Sequence, residues 1–189
     1  IKMLKSSLKA KDKLIVALDT SDLETAKRLI DELRDHTGMF KVGLELFTHS
    51  GTKVFELIEK EEIKVFFDGK FMDIPNTVAR AAANIAAQKI AMLNIHASGG
   101  LAMMKAAAEA VRDQADKSKI EKPILIAVTV LTSVDADALK NELSVGIPVE
   151  DHVVKLATLT KQAGLDGVVA SAREAQLIRT ALGPDFIIV

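Results

Sequence analysis

Three ionisable side chains fall within six residues at one point in the sequence. Asp68, Lys70 and Asp73 come directly after the apolar run 64–67 and lie among phenylalanines. In an extended strand, alternate residues share a face, so Asp68 and Lys70 would project to the same side. A paired ammonium and carboxylate can serve proton transfer, but ordinary ion pairs also cluster at strand ends. The segment alone leaves both interpretations open, with Asp73 in a turn before Ile74 under the second.

A second lysine lies in another apolar run. Lys41 interrupts residues 39–42, where an ammonium group is unfavourable to bury without a carboxylate. We expect Asp68 on the adjacent strand to be its partner. The resulting array alternates lysine and aspartate along Lys41, Asp68, Lys70 and Asp73. It would keep Lys70 protonated beside a fixed negative charge, which suits the expulsion of a substrate carboxylate and the protonation of the resulting carbanion.

The elements that must position these side chains form a repeat of strands and helices. Short apolar runs predict buried parallel strands at 14–18, 39–42, 64–67, 91–95, 124–130, 167–170 and 186–189. Helical periodicity predicts helices over 23–33, 55–60, 77–88, 101–115, 149–162 and 173–182. Ser21 and Glu24 form a capping-box pattern before the first helix, and Gly164 is the expected C′ residue after the fifth. This alternation predicts an α/β fold.

Two architectures suit such a repeat, a doubly wound sheet and a closed barrel. The first predicted strand ends in L-D-T-S at 18–21, without the glycine-rich turn of a nucleotide-binding doubly wound domain. Polar side chains at the predicted strand ends favour the barrel; they are Asp19, Lys41, Asp68, Lys70, Asn94, His96, Thr129 and Thr132. A complete barrel needs one more strand and helix and usually has about 250 residues. We therefore expect residues 1–189 to form one (β/α)8 TIM barrel domain, incomplete at its C-terminus, with about seven of eight strands and without the last βα unit or units.

Composition narrows the possible partners. The chain has 189 residues, of which 25 are basic and 26 acidic, and it carries no basic block, so nucleic acid is not an expected partner. The absence of cysteine excludes disulfides, thiolate metal sites and cysteine nucleophiles. Residues 1–13 lack the apolar core of a signal peptide, and no apolar run is long enough to span a membrane. We expect a cytoplasmic protein.

The segment 68–77, D-G-K-F-M-D-I-P-N-T, resembles the signature of orotidine 5′-monophosphate decarboxylases. Four other blocks resemble those of that family in the expected order: V-A-L-D at 16–19, K-V-G at 41–43, N-I-H-A-S-G-G at 94–100 and V-L-T-S at 130–133. The likeness spans roughly residues 14–189 and is greatest to the bacterial branch. Gly69 departs from the family's usual aliphatic residue, and Met72 from the histidine of the bacterial branch. Because residue 69 should face the surrounding helices, we expect glycine there to lose packing and to add backbone entropy, at a cost of about 1 kcal/mol or more.

The resemblance implies a lyase that converts orotidine 5′-monophosphate to uridine 5′-monophosphate with neither metal nor organic cofactor. By matching positions, it implies that Asp19 and Lys41 hold the ribose and orient the array. It likewise implies that Asp68 lies against the leaving carboxylate and that Lys70 delivers a proton to C6 of the pyrimidine.

The resemblance also implies a homodimer, in which Asp73 and Thr77 reach the site of the neighbouring subunit. Thr132 would contact the bound nucleotide. In this family, loops after the seventh and eighth strands grip the phosphate through a glutamine and arginines beyond position 189. We expect a chain that ended at Val189 to lack this remote binding energy and to be inactive.

Two alternatives remain open at this stage. The keto-gulonate phosphate decarboxylase and hexulose phosphate synthase group shares the D-x-K-x-x-D core but uses magnesium and an enediolate; it typically has glutamate in place of Lys41 and lacks the I-P-N-T continuation. A non-catalytic barrel fragment that only dimerises or folds is the other. A divalent metal held by Asp68, His96 and Glu45 is disfavoured, since a lysine between the carboxylates competes for the same charge.

Overall fold

The computed structural model describes residues 9–189. Its strands are β1 (Ile15–Ala17), β2 (Met39–Gly43), β3 (Lys64–Phe71), β4 (Met92–His96), β5 (Ile124–Val128), β6 (Gly167–Val169) and β7 (Ile187–Ile188). Its α-helices are α1 (Leu23–Leu33), α2 (Leu44–Ser50), α3 (Lys53–Glu59), α4 (Pro75–Ala86), α5 (Gly100–Ser118), α6 (Ala136–Asn141), α7 (Val149–Gln162) and α8 (Ala175–Leu182). Of the lead 1–13, considered above for targeting, residues 1–8 lie outside the described residues.

The strands form one parallel sheet in the sequential order β1 to β7. A doubly wound sheet would reverse its strand order at a switch point, and this sheet does not. The sheet curls into a half-barrel with helices between successive strands, which matches an incomplete (β/α)8 TIM barrel. The predicted fold class is therefore confirmed. Across residues 9–189, β1 and β7 are the two edges of the sheet.

Because side chains alternate between the two faces of each strand, the inward face of the sheet has a layer of apolar side chains followed by a layer of polar ones. The side chains that pack together inside the curl are Met39, Phe66, Met92 and Ile126. Two residues further along β2, β3 and β4, and so on the same face, come Lys41, Asp68 and Asn94. The opposite face packs against the helices through a larger apolar core. The carboxyl ends of these three strands therefore present polar groups inward, above a dry interior.

The first helix has its predicted bounds, but its N-cap lies one residue later than the capping-box pattern indicates. Its N-cap is Asp22, whose Oδ1 accepts the backbone N–H of Thr25 at 2.7 Å. This backbone hydrogen bond is the main cause that lowers the pKa of Asp22. The predicted capping box of Ser21 and Glu24 is therefore wrong. A carboxylate at the cap satisfies an unpaired amide and also complements the positive end of the helix dipole.

Other boundaries differ in ways that matter for the site. Strand β3 runs to Phe71 rather than ending at residue 67, and β5 ends at Val128 rather than at 130. Helices α2 and α6 are not predicted from the sequence. They are seven and six residues long, too short to show a clear helical period of apolar residues. Helix α7 has its predicted bounds, and Gly164 follows its end with a φ of 83°. Across the described part of the chain, no helix is both long and apolar enough to cross a membrane.

Candidate active site

Four charged side chains from neighbouring strand ends form a continuous chain of ion pairs. Lys41 Nζ lies 3.2 Å from Oδ1 of Asp19 and 3.3 Å from Oδ2 of Asp68. Lys70 Nζ lies 2.8 Å from Oδ1 of Asp68. Each oxygen of the Asp68 carboxylate therefore contacts a different ammonium group. The expected partnership of Lys41 and Asp68 is present, because their strands are adjacent and both residues face into the curl.

A bulge in β3 positions Lys70. Phe67 pairs with Leu93 and Phe71 pairs with Ile95, so that Asp68, Gly69 and Lys70 oppose Asn94 alone. At Lys70 the backbone enters the left-handed region, with a φ of 49°. The expectation that extended backbone brings Lys70 to the same side as Asp68 is therefore wrong. The two side chains meet because the extra residues of the bulge redirect the strand.

Asn94 occupies the position opposite the bulge and is fully buried. Its Nδ2 donates to Oδ1 of Asp68 at 2.6 Å, and its Oδ1 accepts the backbone N–H of Lys70 at 2.8 Å. From the sequence, Asn94 is only one of several polar residues at predicted strand ends, with no role assigned to it. The available signal was its position two residues after the inward-facing Met92, where a buried amide must find partners.

The surroundings of Asp68 keep its carboxyl group ionised. Burial acts to raise its pKa, but hydrogen bonds from Lys70 and Asn94 and the positive charges of Lys70 and Lys41 outweigh burial and lower it. His96, at the end of β4, has a lowered pKa because of burial first and the charge of Lys70 second, partly offset by Asp68. At neutral pH the site therefore holds a carboxylate and a neutral imidazole.

The remaining predicted site residues lie outside the chain of ion pairs. Asp73, Thr77 and Thr132 are all exposed to solvent. Asp73 Oδ1 accepts the backbone N–H of Ile74 at 2.6 Å, a local contact just before α4. Thr132 lies in the turn that follows β5. The structure thus brings together Asp19, Lys41, Asp68 and Lys70, and leaves the other three accessible to a ligand or to another chain.

Gly69 does not leave a packing defect. A Cβ at this position would fall 2.3 Å from Cε1 of Phe67, because the ring of Phe67 already occupies the space. That ring packs against Phe47, Phe55 and Phe71 at centroid distances of 4.7, 5.6 and 5.7 Å. The expectation that glycine loses packing here is therefore wrong, since a neighbouring aromatic ring supplies the contact.

The metal alternative has no assembled ligand set. Glu45 is exposed on α2 and is not grouped with Asp68 and His96. Among residues 9–189, no three histidine, aspartate or glutamate side chains converge as metal ligands. Asp68, the carboxylate nearest to such a role, is instead held between two ammonium groups.

This arrangement suits proton delivery next to a fixed negative charge. The Lys70 side chain carries an ammonium group, a type of group that can donate a proton, and is partly exposed at the carboxyl ends of parallel strands, where barrel enzymes hold their substrates. A substrate anion placed against Asp68 would be destabilised there, and loss of that anionic group would relieve the repulsion. A carbanion formed at the same place would have Lys70 within reach.

Comparison with known proteins gives consistent matches over most of the chain. A family model described as the orotidine 5′-phosphate decarboxylase / HUMPS family matches residues 12–189. The orotidine 5′-phosphate decarboxylase of Moorella thermoacetica is 51% identical over 180 residues, which are 95% of this chain and 71% of that protein. The protein of the same name from Syntrophotalea carbinolica is 48% identical over 96% of this chain and 74% of its own length.

A solved structure extends the likeness to three dimensions. The crystal structure of orotidine 5′-phosphate decarboxylase from Lactobacillus acidophilus superposes with a TM-score of 0.86 at 35% sequence identity. The match covers 93% of this chain and 78% of that one. The curled parallel sheet described above is therefore shared with an experimentally determined structure.

Proposed function

The chain belongs to the orotidine 5′-phosphate decarboxylase / HUMPS family, and from this membership and the site we infer that it converts orotidine 5′-monophosphate to uridine 5′-monophosphate in pyrimidine biosynthesis. The observation that carries the inference is the buried Asp68 carboxylate held between the ammonium groups of Lys41 and Lys70. In this proposal the charged side chains of Asp68 and Lys70 carry out the decarboxylation without a cofactor. The reaction needs one group to repel the leaving carboxylate and another to protonate the carbon left behind, and the site has both.

We propose the following roles for the two groups. The substrate carboxylate at C6 binds against Asp68, whose low pKa keeps it charged, so the bound substrate is destabilised relative to the transition state. The bond from C6 to the carboxylate carbon breaks, CO2 leaves, and the electron pair stays on C6. The Lys70 ammonium donates a proton to C6, the new C–H bond forms, and Lys70 regains a proton from solvent.

Asp19 and Lys41 support binding in this proposal. The Asp19 side chain is 72% exposed at the mouth of the curl, so its carboxylate is free to accept hydrogen bonds from ribose hydroxyls. Lys41 bridges Asp19 and Asp68 and so links the ribose position to the reacting position. Thr132, exposed after β5, would contact the bound nucleotide from the next part of the rim.

We also propose a homodimer in which Asp73 and Thr77 act on the partner's site. Met72 and Ile74 are 57% and 67% exposed, an unusual exposure for apolar side chains so near a site. A second copy of the chain would cover them and bring its Asp73 to Lys70, which completes the alternating array. The proposed substrate is a small nucleotide, with neither nucleic acid nor membrane as partner. We also propose that residues 1–189 belong to one barrel domain and that the protein is cytoplasmic.

The magnesium-dependent sugar-phosphate decarboxylases and aldolases of the same superfamily are disfavoured by Lys41. Magnesium is bound through carboxylates, and an ammonium group 3.3 Å from Asp68 repels a divalent cation at that place. That group typically has glutamate at this position, which would attract the cation instead. The positive charge at position 41 therefore favours the metal-free reaction.

Turnover of orotidine 5′-monophosphate tests the assignment. The ultraviolet absorbance change is followed for the full-length protein in buffer that contains a chelator, with Lys70→Ala and with Lys64→Ala. Lys64 is an exposed lysine at the opposite end of the same strand, so its substitution is the matched control. We expect chelator-resistant turnover that Lys64→Ala leaves unchanged and that Lys70→Ala lowers by about 10²- to 10⁴-fold, as for loss of a general acid. No turnover by the folded wild-type protein, or turnover that the chelator abolishes, would reject the assignment.

Subunit mixing tests the dimer. Lys70→Ala and Asp73→Ala chains are each expected to be inactive, but a hybrid dimer would contain one site with both groups intact. Random mixing of two inactive variants should then restore about a quarter of wild-type activity, since half of the dimers are hybrids with one good site of two. No recovery on mixing would place Asp73 outside the partner's site.

A further inference from the structure

The amide of Asn94 connects the proposed proton donor to the proposed charge beside it. One end of the amide holds the Asp68 carboxylate and the other holds the Lys70 backbone, at 2.6 and 2.8 Å. Its orientation is fixed, because the Lys70 amide can only donate and an ionised carboxylate can only accept. One buried side chain therefore touches both members of the Asp68–Lys70 pair without being part of that pair.

The contact with Lys70 falls where the backbone is unfavourable. Lys70 has a φ of 49°, a conformation that is unfavourable for a residue with a Cβ and that tends to persist at functional sites. Three residues of β3 oppose Asn94 alone, so the regular ladder is interrupted at Lys70, and the Lys70 N–H donates to a side chain. Asn94 Oδ1 supplies the acceptor and so stabilises the left-handed conformation.

Asn94 contacts the same oxygen of Asp68 that forms the ion pair with Lys70. Asp68 Oδ1 accepts from Asn94 Nδ2 at 2.6 Å and lies 2.8 Å from Lys70 Nζ, while Oδ2 faces Lys41. Two donors on one oxygen fix the rotation of the carboxylate. Without Asn94, the carboxylate could turn toward Lys41, and Lys70 would lose the partner that directs its side chain.

We propose that Asn94 is a positioning residue for proton transfer. By holding the Lys70 backbone and the Asp68 carboxylate with the same amide, it sets the separation of the donor and the fixed charge. The proposal rests on the proposed function for the reaction that Lys70 serves. Because Asn94 is buried beneath the pair and acts through it, its loss should lower kcat and leave KM within a few-fold of wild type.

Two substitutions separate the two contacts. Asn94→Leu has a similar shape and removes both hydrogen bonds. Asn94→Asp keeps the acceptor for the Lys70 N–H but places a second carboxyl group beside Asp68, which can donate only when it is protonated. Thr160→Val is the matched control, because Thr160 is a fully buried polar residue on α7 whose hydroxyl bonds to Leu156, away from the site.

We expect Asn94→Leu to lower kcat by about 10²-fold, which is the effect of misplacing a reacting group. Thr160→Val should lower the melting temperature by as much as Asn94→Leu does, but should keep the wild-type kcat. The kcat of Asn94→Asp, as a fraction of the wild-type value at the same pH, should rise as the pH falls and the new carboxyl group gains its proton. A merely structural asparagine would not produce that pH profile. A wild-type kcat for Asn94→Leu, or a loss confined to KM, would overturn the proposal.

Hydrogen exchange at the Lys70 amide tests positioning without any substrate. The amide should be protected in the wild type and in Asn94→Asp, and should exchange faster in Asn94→Leu. Equal protection in all three proteins would overturn the proposal even if the wild type turns over its substrate. If the wild type fails to turn over orotidine 5′-monophosphate, the proposed function fails, and the exchange data still decide whether Asn94 holds Lys70. If Asn94→Leu does not fold, the pH profile of Asn94→Asp decides in its place, and a kcat ratio to wild type that does not change with pH would overturn the proposal.

Discussion

The ring of Phe67 fills the space into which a side chain at position 69 would project, with Cε1 2.3 Å from an ideal Cβ on Gly69. Phe67 and Gly69 are alternate residues of β3 on its helix-facing side, and Gly69 lies between the site residues Asp68 and Lys70. The large residue and the absent side chain therefore compensate for each other. Substitution at either position has to be considered together with the other.

We predict that Gly69→Leu alone destabilises the fold by about 1–3 kcal/mol, because the new side chain must displace a packed ring. Phe67→Leu alone should cost about 1 kcal/mol or more through the space it leaves. The double variant should be more stable than the sum of the two changes predicts. Urea denaturation of the four proteins gives the coupling free energy, and strictly additive losses would show that the two positions are independent.

We predict that Asp68 contributes stability that is lost in acid. Its pKa in the folded protein is below the ordinary 3.8, so the unfolded chain takes up this proton first as the pH falls. The contribution is complete above about pH 5 and disappears as the pH drops below 3.8 through the folded pKa. Unfolding free energies measured from pH 6 to 3 should fall more steeply for the wild type than for Asp68→Asn. Parallel curves would mean that Asp68 is not held in its charged form by the fold.

His96 should make stability depend on pH in a different range. Burial lowers its folded pKa below the ordinary 6.5, so the unfolded chain binds this proton first as the pH falls below 6.5. The stability of the wild type should therefore decline from pH 7 toward pH 5 and level off below the folded pKa. Asn at position 96 cannot take up this proton, so His96→Asn should show a smaller decline. His152, whose pKa is also lowered by burial, remains in both proteins and provides a common background.

We predict that Asp166 stabilises the barrel without affecting its chemistry. Its Oδ2 accepts from Lys122 Nζ at 2.7 Å and from the Leu125 N–H at 2.8 Å, at the amino ends of β5 and β6. Asp166→Ala leaves that amide without its acceptor and should cost about 1–3 kcal/mol. Asp166→Asn, which keeps an acceptor, should cost less. Because active sites of such barrels lie at the carboxyl ends, kcat/KM should be unchanged in both variants, and a lower kcat/KM would contradict this division.

The order of elements and the central ion pair follow from the sequence. Apolar runs of strand length separated by helical periods predict the parallel repeat, because burial on both faces of a parallel strand leaves a local signal. Lys41 and Asp68 could also be paired from the sequence, because consecutive strands of a parallel repeat are usually neighbours and a lysine in an apolar strand requires a carboxylate.

Only the tertiary structure decided how the pair with Lys70 is built. The bulge opposite Asn94, the left-handed backbone at Lys70 and the ring beside Gly69 all depend on the register between β3 and β4 and on how side chains fill the space that remains. Register and packing are settled by contacts between residues distant in sequence, and the local pattern of residues 66–71 is equally compatible with a straight strand. The sequence by itself determined that Lys41, Asp68 and Lys70 meet at this end of the barrel. The packed structure decided the geometry in which they are held, because hydrogen bonds across strands and the volume of neighbouring rings leave a single arrangement.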